Sequence, residues 1–276
     1  MKIALLQTAV AADKEQNITN ACAWVRTAAQ SGAELVILPE MFNCPYSSDF
    51  FSPYAELEGG ASWLAMAQCA AENSVCLVAG SMPEKAEGRI YNTSYVFDPD
   101  GKQIAKHRKM HLFDVEFDGG QFFRESDTFT PGNAVTTFAF GDMTFGLCIC
   151  FDMRFPELSR LMTLSGAQAL IAPAAFNMTT GPLHWETMFR QRATDNQVYT
   201  IGVAPARDVH GAYVSYANSL VCSPMGQVLT RAGEESCILY AELRHTEITE
   251  TRRQLPLLKA RRNDVYTIKE NIEKEN

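Results

Sequence analysis

Two short runs, Lys2-Ile3-Ala4-Leu5-Leu6-Gln7 and Glu34-Leu35-Val36-Ile37-Leu38-Pro39-Glu40, decide the architecture. Each is continuously apolar over the length of a strand and too short for a helix. Between them Ile18, Ala21, Cys22, Val25 and Ala29 recur at helical spacing, with Asn17 or Thr19 as the expected N-cap and Ser31-Gly32 as the stop. A strand–helix–strand unit of this length predicts two parallel strands with a helix covering their sheet, since parallel neighbours need a long crossover.

Working outward, a second helix is expected over 62–72 and a strand over 75–80. Strands over 91–98 and 103–107 flank Pro99-Asp100-Gly101, a hairpin turn. Between Lys109 and Pro131 the pattern breaks into an aromatic-rich loop around Asp118-Gly119-Gly120, and long loops inside a domain are often functional. Val135 to Phe140 and Met143 to Ile149 form a hairpin about Gly141-Asp142. Strands follow over 169–173, 198–204, 213–222, 228–231 and 237–242, with a helix over 182–195. No linker or composition break divides the chain. The expectation is one α/β domain over 1–276, a mixed sheet arrangement with helices outside, and a tail from about Arg244 that reaches a partner subunit.

One stretch interrupts this alternation. In Gly146-Leu147-Cys148-Ile149-Cys150-Phe151-Asp152-Met153-Arg154-Phe155-Pro156-Glu157 a buried strand turns sharply into a helix, with Pro156 in its first turn and Leu158, Leu161 and Met162 on its apolar face. Cys150 lies at the bend. A thiol there projects from the strand end while backbone N–H groups point past it, which suits a nucleophile beside an oxyanion site. The same cysteine also reads as a small buried hydrophobe, as free cysteines usually are.

Composition narrows the function. A net charge of −8 and a pI near 5.2 exclude nucleic acid as the main partner, since no basic run offers phosphate neutralisation. No apolar run approaches the roughly 20 residues that span a bilayer. The first residues read as a strand and not as an export signal, so the eight cysteines are expected as thiols in the cytoplasm. Cys148 and Cys150 form a Cys-x-Cys with no second pair, so no metal site is expected.

Three expected strand ends carry polar residues where a covered sheet should be apolar: Glu40, Lys109 and Cys150. Sites in α/β sheets are built beyond strand carboxyl ends. A carboxylate, an ammonium and a thiol together suffice for amide chemistry, the thiolate attacking, the carboxylate moving protons and the cation holding the oxyanion. Spacing alone leaves open an exposed Glu40–Lys109 ion pair instead.

Leu35-Val36-Ile37-Leu38-Pro39-Glu40-Met41-Phe42, Arg108-Lys109-Met110-His111-Leu112-Phe113-Asp114 and Cys150-Phe151-Asp152-Met153-Arg154-Phe155-Pro156-Glu157 resemble, in order, the three signature blocks of the nitrilase superfamily of carbon–nitrogen hydrolases. The similarity runs collinearly from Lys2 to about Arg262. It implies a four-layer αββα sandwich that pairs with a second subunit, no cofactor, and a small-molecule amide as substrate. The roles it implies are general base for Glu40, stabiliser of the tetrahedral intermediate for Lys109 and nucleophile for Cys150. Glu125 matches a second carboxylate that orients the lysine and the substrate, and the Phe151 N–H a further oxyanion donor. Cys148 is a packing residue in this reading.

Within the superfamily, Phe176-Asn177-Met178-Thr179-Thr180-Gly181-Pro182-Leu183-His184-Trp185-Glu186 looks most like the ω-amidase branch, which hydrolyses 2-oxoglutaramate and 2-oxosuccinamate. Such substrates carry a distal carboxylate, for which Arg154 is the candidate fork, with Thr180 or Thr179 and Tyr46 as hydrogen-bonding neighbours. Arg154 equally suits a structural ion pair with Asp152 or Glu157. Ser223-Pro224-Met225-Gly226 departs from relatives that have Trp in place of Met225, a difference expected to alter packing and not chemistry. Three alternatives stand beside this reading: a deaminated-glutathione amidase, an N-carbamoyl-amine hydrolase, or a catalytically silent interaction module. Nitrile hydrolysis fits the Phe176 segment less well.

Overall fold

Along the first strand Ile3 and Leu5 face one side and Ala4 and Leu6 the other, and all four are fully buried. A strand buried on both faces needs a cover on each. The computed structural model describes residues 1–116 and 122–271. Its first half runs β1 (Lys2–Gln7), α1 (Lys14–Gln30), β2 (Leu35–Ile37), α2 (Ser48–Tyr54), α3 (Ala61–Asn73), β3 (Cys76–Val78), β4 (Met82–Ala86), β5 (Arg89–Phe97) and β6 (Gln103–Arg108). The second runs β7 (Asp114–Glu116), β8 (Phe122–Arg124), β9 (Thr136–Phe140), β10 (Met143–Leu147), α4 (Pro156–Leu164), β11 (Ala169–Pro173), α5 (Gly181–Asn196), β12 (Tyr199–Val203), β13 (Leu220–Cys222), β14 (Val228–Arg231), β15 (Cys237–Glu242) and α6 (His245–Gln254).

Two sheets result. The first has the order β15-β1-β2-β3-β5-β4, with β6 also paired to β5, and the second the order β14-β13-β12-β11-β10-β9. The expected parallel pair is present, with Ile3 opposite Leu35 and Leu5 opposite Ile37. Ile3, Leu5, Leu35 and Ile37 meet Phe145, Leu147, Ile171 and Ile201 in one apolar layer between the sheets. Ala4, Leu6, Val36 and Leu38 pack outward on α1 and α3. Leu170 and Ala172 do the same under α4 and α5, against Met162, Trp185 and Phe189. The layers are therefore αββα. Fully burying one such aliphatic side chain contributes about 1.5–3 kcal/mol, so the interior layer carries much of the driving force.

Several expectations are corrected. The α1 N-cap is Asp13, whose carboxylate accepts the Gln16 N–H at 3.0 Å; Asn17 instead turns inward to pair with the backbone of Ala11. The expected long loop contains a hairpin, with Val115 opposite Phe123, while Asp118-Gly119-Gly120 lies outside the described residues. Of the expected strand 213–222 only Leu220–Cys222 joins a sheet, and Ser215 makes an isolated antiparallel bridge to Asn177. The tail from Arg244 also touches its own chain: α6 buries Ile248 in the layer between the sheets, and Glu270 accepts the Val135 N–H at 2.9 Å. Met225 is 54 % exposed, so its departure from the usual Trp alters no core packing here.

Candidate active site

Glu40, Lys109 and Cys150 each follow the carboxyl end of a strand, Glu40 and Lys109 in the first sheet and Cys150 in the second. Close backbone approaches fix these ends. Gly80 lies so near the segment before Glu40 that a Cβ there would sit 2.0 Å from the Pro39 carbonyl oxygen, in a left-handed conformation of φ +44°. Cys150 itself has φ +47° and opens a 3-10 turn over Cys150–Arg154. A non-glycine residue held there costs on the order of 1–3 kcal/mol, and such strain persists only where the surroundings impose it.

The three residues converge with Glu125. All four are buried, with Glu40 1 %, Lys109 and Glu125 0 % and Cys150 4 % exposed. Lys109 Nζ donates to Glu40 Oε1 at 3.0 Å and to Glu125 Oε1 at 2.9 Å, with Glu125 Oε2 at 2.8 Å. Glu40 Oε1 also accepts from Asn92 Nδ2 at 2.9 Å, and its Oε2 from the Ala175 N–H at 2.8 Å. Glu125 accepts from Tyr46 OH at 2.7 Å and from the Phe113 N–H at 2.7 Å. The Cys150 thiol lies near enough to Glu40 and to the Ala175 N–H for both to act on its ionisation. The Glu40–Lys109 pair is thus a buried one.

Two carboxylates around one ammonium set the electrostatics. Burial pushes the Cys150 thiol well above the usual range, Glu40 adds repulsion, and Lys109 offsets them only partly. Burial also raises Glu40 despite the attraction of Lys109. For Lys109 burial works against the charge, but Glu125 and Glu40 outweigh it and hold the ammonium protonated. These directions favour the thiol over the thiolate at rest, with the Glu40 carboxylate nearby.

The thiol lies on a tight cleft, too narrow in this conformation to hold a water-sized sphere, whose walls include Phe113, Phe151, Arg154, Phe176 and Thr180. Arg154 Nη2 donates to Thr180 Oγ1 at 3.0 Å, and Nη1 lies 2.9 Å from His184 Nδ1. The guanidinium lies over the Phe176 ring at 4.7 Å, and its buried Nε has no hydrogen-bond partner among the described residues.

A family model described as "Carbon-nitrogen hydrolase" matches residues 2–253. The chain belongs to the carbon–nitrogen hydrolase family. It is 47 % identical over 267 residues to the omega-amidase NIT2 of Mus musculus, covering 97 % of each chain. It is 44 % identical over 267 residues to that of Homo sapiens, again covering 97 % of each. The Saccharomyces cerevisiae Nit3 structure, a member of branch 10 of the nitrilase superfamily, superposes with a TM-score of 0.88 at 41 % identity, covering 95 % of this chain and 96 % of that one. The protein is an amidase of the nitrilase superfamily with that superfamily's αββα fold.

In this carbon–nitrogen hydrolase the remaining candidates fall unevenly. Phe151 and Thr180 line the cleft, whereas Thr179 is exposed and lines no part of it. Tyr46 is buried behind Glu125 and lines a neighbouring cavity of about 70 Å³ with Glu40 and Tyr213. Arg154 pairs with neither Asp152 nor Glu157: Asp152 is taken up by His107, His111 and three backbone N–H groups, and no carboxylate of the described residues lies within 4.0 Å of the guanidinium. Sequence reasoning missed Asn92, Ala175, Tyr213 and His184. Only His184 left a trace, as part of the segment that resembles the ω-amidase branch. The others arrive from segments whose local pattern is that of ordinary strands and loops.

Proposed function

We propose that the enzyme hydrolyses the terminal amide of a small carboxylate-bearing substrate, of the 2-oxoglutaramate or 2-oxosuccinamate type, through a thioester on Cys150. The observation that carries this is Arg154: a half-buried guanidinium in the wall of the thiol's cleft, without a carboxylate partner of its own and with its Nε unsatisfied. A buried cation without a counter-ion is costly, and a substrate carboxylate relieves that cost on binding. The likeness to relatives described as omega-amidases agrees.

The chemistry then runs as follows. Glu40 takes the Cys150 proton as sulfur attacks the amide carbon, and the C=O electrons move to oxygen. Lys109 Nζ and the Phe151 N–H, in a first turn whose N–H groups lack intrahelical partners, receive the oxyanion. Protonated Glu40 returns its proton to nitrogen, and the C–N bond breaks to release ammonia. Water then loses a proton to Glu40 and attacks the thioester. The carboxylic acid leaves and the thiol regains its proton. Glu125, with Tyr46 behind it, holds Lys109 in place throughout.

We also take the chain to act as a homodimer or larger homo-oligomer in the cytoplasm. In support, the segment after α6 leaves Leu255, Leu257, Val265 and Tyr266 exposed, and all eight cysteines are free thiols. No helix among the described residues is long and apolar enough to cross a membrane.

The test is ammonia release across a panel of short amides with and without a distal carboxylate. Preference for carboxylate-bearing ω-amides supports the proposal. Equal rates on neutral amides, or preference for N-carbamoyl amines or a deaminated tripeptide amide, would move the enzyme to a sibling activity. Absence of turnover with an alkylatable Cys150 would leave a silent module.

A further inference from the structure

Asp152 lies two residues beyond Cys150, is fully buried, and does not reach the cleft, yet its carboxylate accepts five hydrogen bonds. Oδ1 takes the Met110 N–H at 3.1 Å, the His111 N–H at 2.8 Å and His111 Nδ1 at 2.8 Å. Oδ2 takes the Ile149 N–H at 3.0 Å and His107 Nε2 at 3.0 Å. A buried carboxylate only accepts, so both histidine nitrogens that face it carry the hydrogen. His107 is tied through Nδ1 to Thr136 Oγ1 at 2.9 Å, and the His111 ring stacks on Phe155 at 3.7 Å.

The donors are unusually placed. Ile149 immediately precedes the thiol residue. Met110 and His111 immediately follow Lys109. Lys109 follows β6 of the first sheet and Cys150 follows β10 of the second, and these strands do not share a ladder. The backbone on either side of the site is therefore joined through one side chain. Its charge is retained: burial disfavours it, but the hydrogen bonds from His107 and His111 outweigh burial and hold the carboxyl well below its ordinary range.

We propose that Asp152, braced by His107 and His111, is a positioning residue that sets the distance between the Lys109 ammonium and the Cys150 sulfur. The inference rests on the thioester reading above. Reacting groups must stay in near-attack geometry, and a displacement of about 1 Å costs on the order of a hundredfold in rate. Asp152→Asn keeps the shape but turns one oxygen into an NH₂ that faces the Ile149 N–H and His107 Nε2, donor against donor. His111→Leu removes one brace. His111→Asn keeps a donor close to the Nδ1 position.

The experiment measures kcat, KM, thermal midpoint and the rate of Cys150 alkylation by iodoacetamide in Asp152→Asn, His111→Leu, His111→Asn and Cys150→Ser. The expected result is a fall in kcat of about tenfold to a hundredfold in Asp152→Asn and His111→Leu, with KM within about threefold of the parent and alkylation no faster than in the parent. His111→Asn should restore most of the loss. If Asp152→Asn does not fold, the His111 pair decides. Unchanged kcat in a folded Asp152→Asn or in His111→Leu overturns the inference. So does a kcat loss accompanied by raised KM and faster alkylation, which is what general loosening produces. Turnover that survives in Cys150→Ser overturns the thioester reading itself, an outcome separate from the other two.

Discussion

The Ala175 N–H donates to Glu40 Oε2 across 2.8 Å, so a carboxylate carried by the first sheet is held by backbone just past the end of β11 in the second. Asn92 and Lys109 hold the other oxygen from within its own sheet. The proposed base is therefore held by both sheets at once, and its orientation depends on how they pack.

Glu40→Gln tests the role this orientation suggests. Gln keeps the shape and still offers an oxygen to Lys109 or Ala175, but it cannot take the thiol proton. Turnover should fall by about 10²–10⁴, the usual worth of a positioned general base, with little change in thermal midpoint. Single-turnover ammonia release measures this. A loss under tenfold would assign the proton transfer to another group.

Cys150 and Cys148 provide an internal comparison. Cys150 faces the cleft, whereas Cys148 is fully buried one pleat earlier with its thiol 3.6 Å from the Ile171 carbonyl. Cys150→Ala should abolish turnover in a folded protein. Cys148→Ala should keep most of it while lowering stability by about 0.5–3 kcal/mol, the range for a core truncation. Urea unfolding and kcat, measured on both variants, separate the roles; equal loss of activity in both would contradict the assignment.

The pH profile follows from the directions of the shifts. Burial and Glu40 push the Cys150 thiol up, so in the parent its alkylation rate should still be climbing above pH of about 8.5, where an ordinary thiol is half ionised. Neutralising Glu40 removes a repulsive negative charge. In Glu40→Gln the alkylation curve should therefore move to lower pH although turnover is lost. Because Glu40 is itself raised by burial, the acid limb of kcat/KM should lie above the ordinary carboxylate value of about 4.3. An alkylation curve that stays put or moves up in the variant would show that the two groups do not interact.

The parallel core was legible because strands buried on both faces leave continuous apolar runs, and Leu35–Ile37 and Ala169–Pro173 are such runs. Elements stabilised by tertiary contacts were not. The helix Ser48–Tyr54 spans seven residues with Pro53 inside, too few for a period to show. The strand Met82–Ala86 contains Pro83, Glu84 and Lys85 and reads as surface. Yet Glu84 is 1 % exposed, because Arg108 reaches its two oxygens at 2.7 and 2.8 Å. That pairing depends on β4 and β6 both lying against β5, which no local pattern records. The site divides likewise: Glu40, Lys109 and Cys150 each stood out at a strand end, but Asn92 and Asp152 acquire their contacts only when the sheets stack.

In the proposed function, specificity rests on Arg154. If its guanidinium holds the distal carboxylate, Arg154→Lys should not rescue Arg154→Ala, because a point ammonium cannot reproduce a planar fork braced by Thr180 and His184. Losing a charge-assisted pair in a mostly dry cleft costs about 2–5 kcal/mol, roughly 30-fold to several thousand-fold in the specificity constant. The loss should be selective. A neutral short-chain amide, already a poor substrate for the parent, has no carboxylate to lose and should suffer far less. The measurement is the ratio of kcat/KM for 2-oxoglutaramate to that for the neutral amide, in parent and in Arg154→Ala. A collapse of this ratio assigns the carboxylate to Arg154. A uniform fall in both substrates would mean that the guanidinium, stacked on Phe176, shapes the cleft wall and that the carboxylate is bound elsewhere.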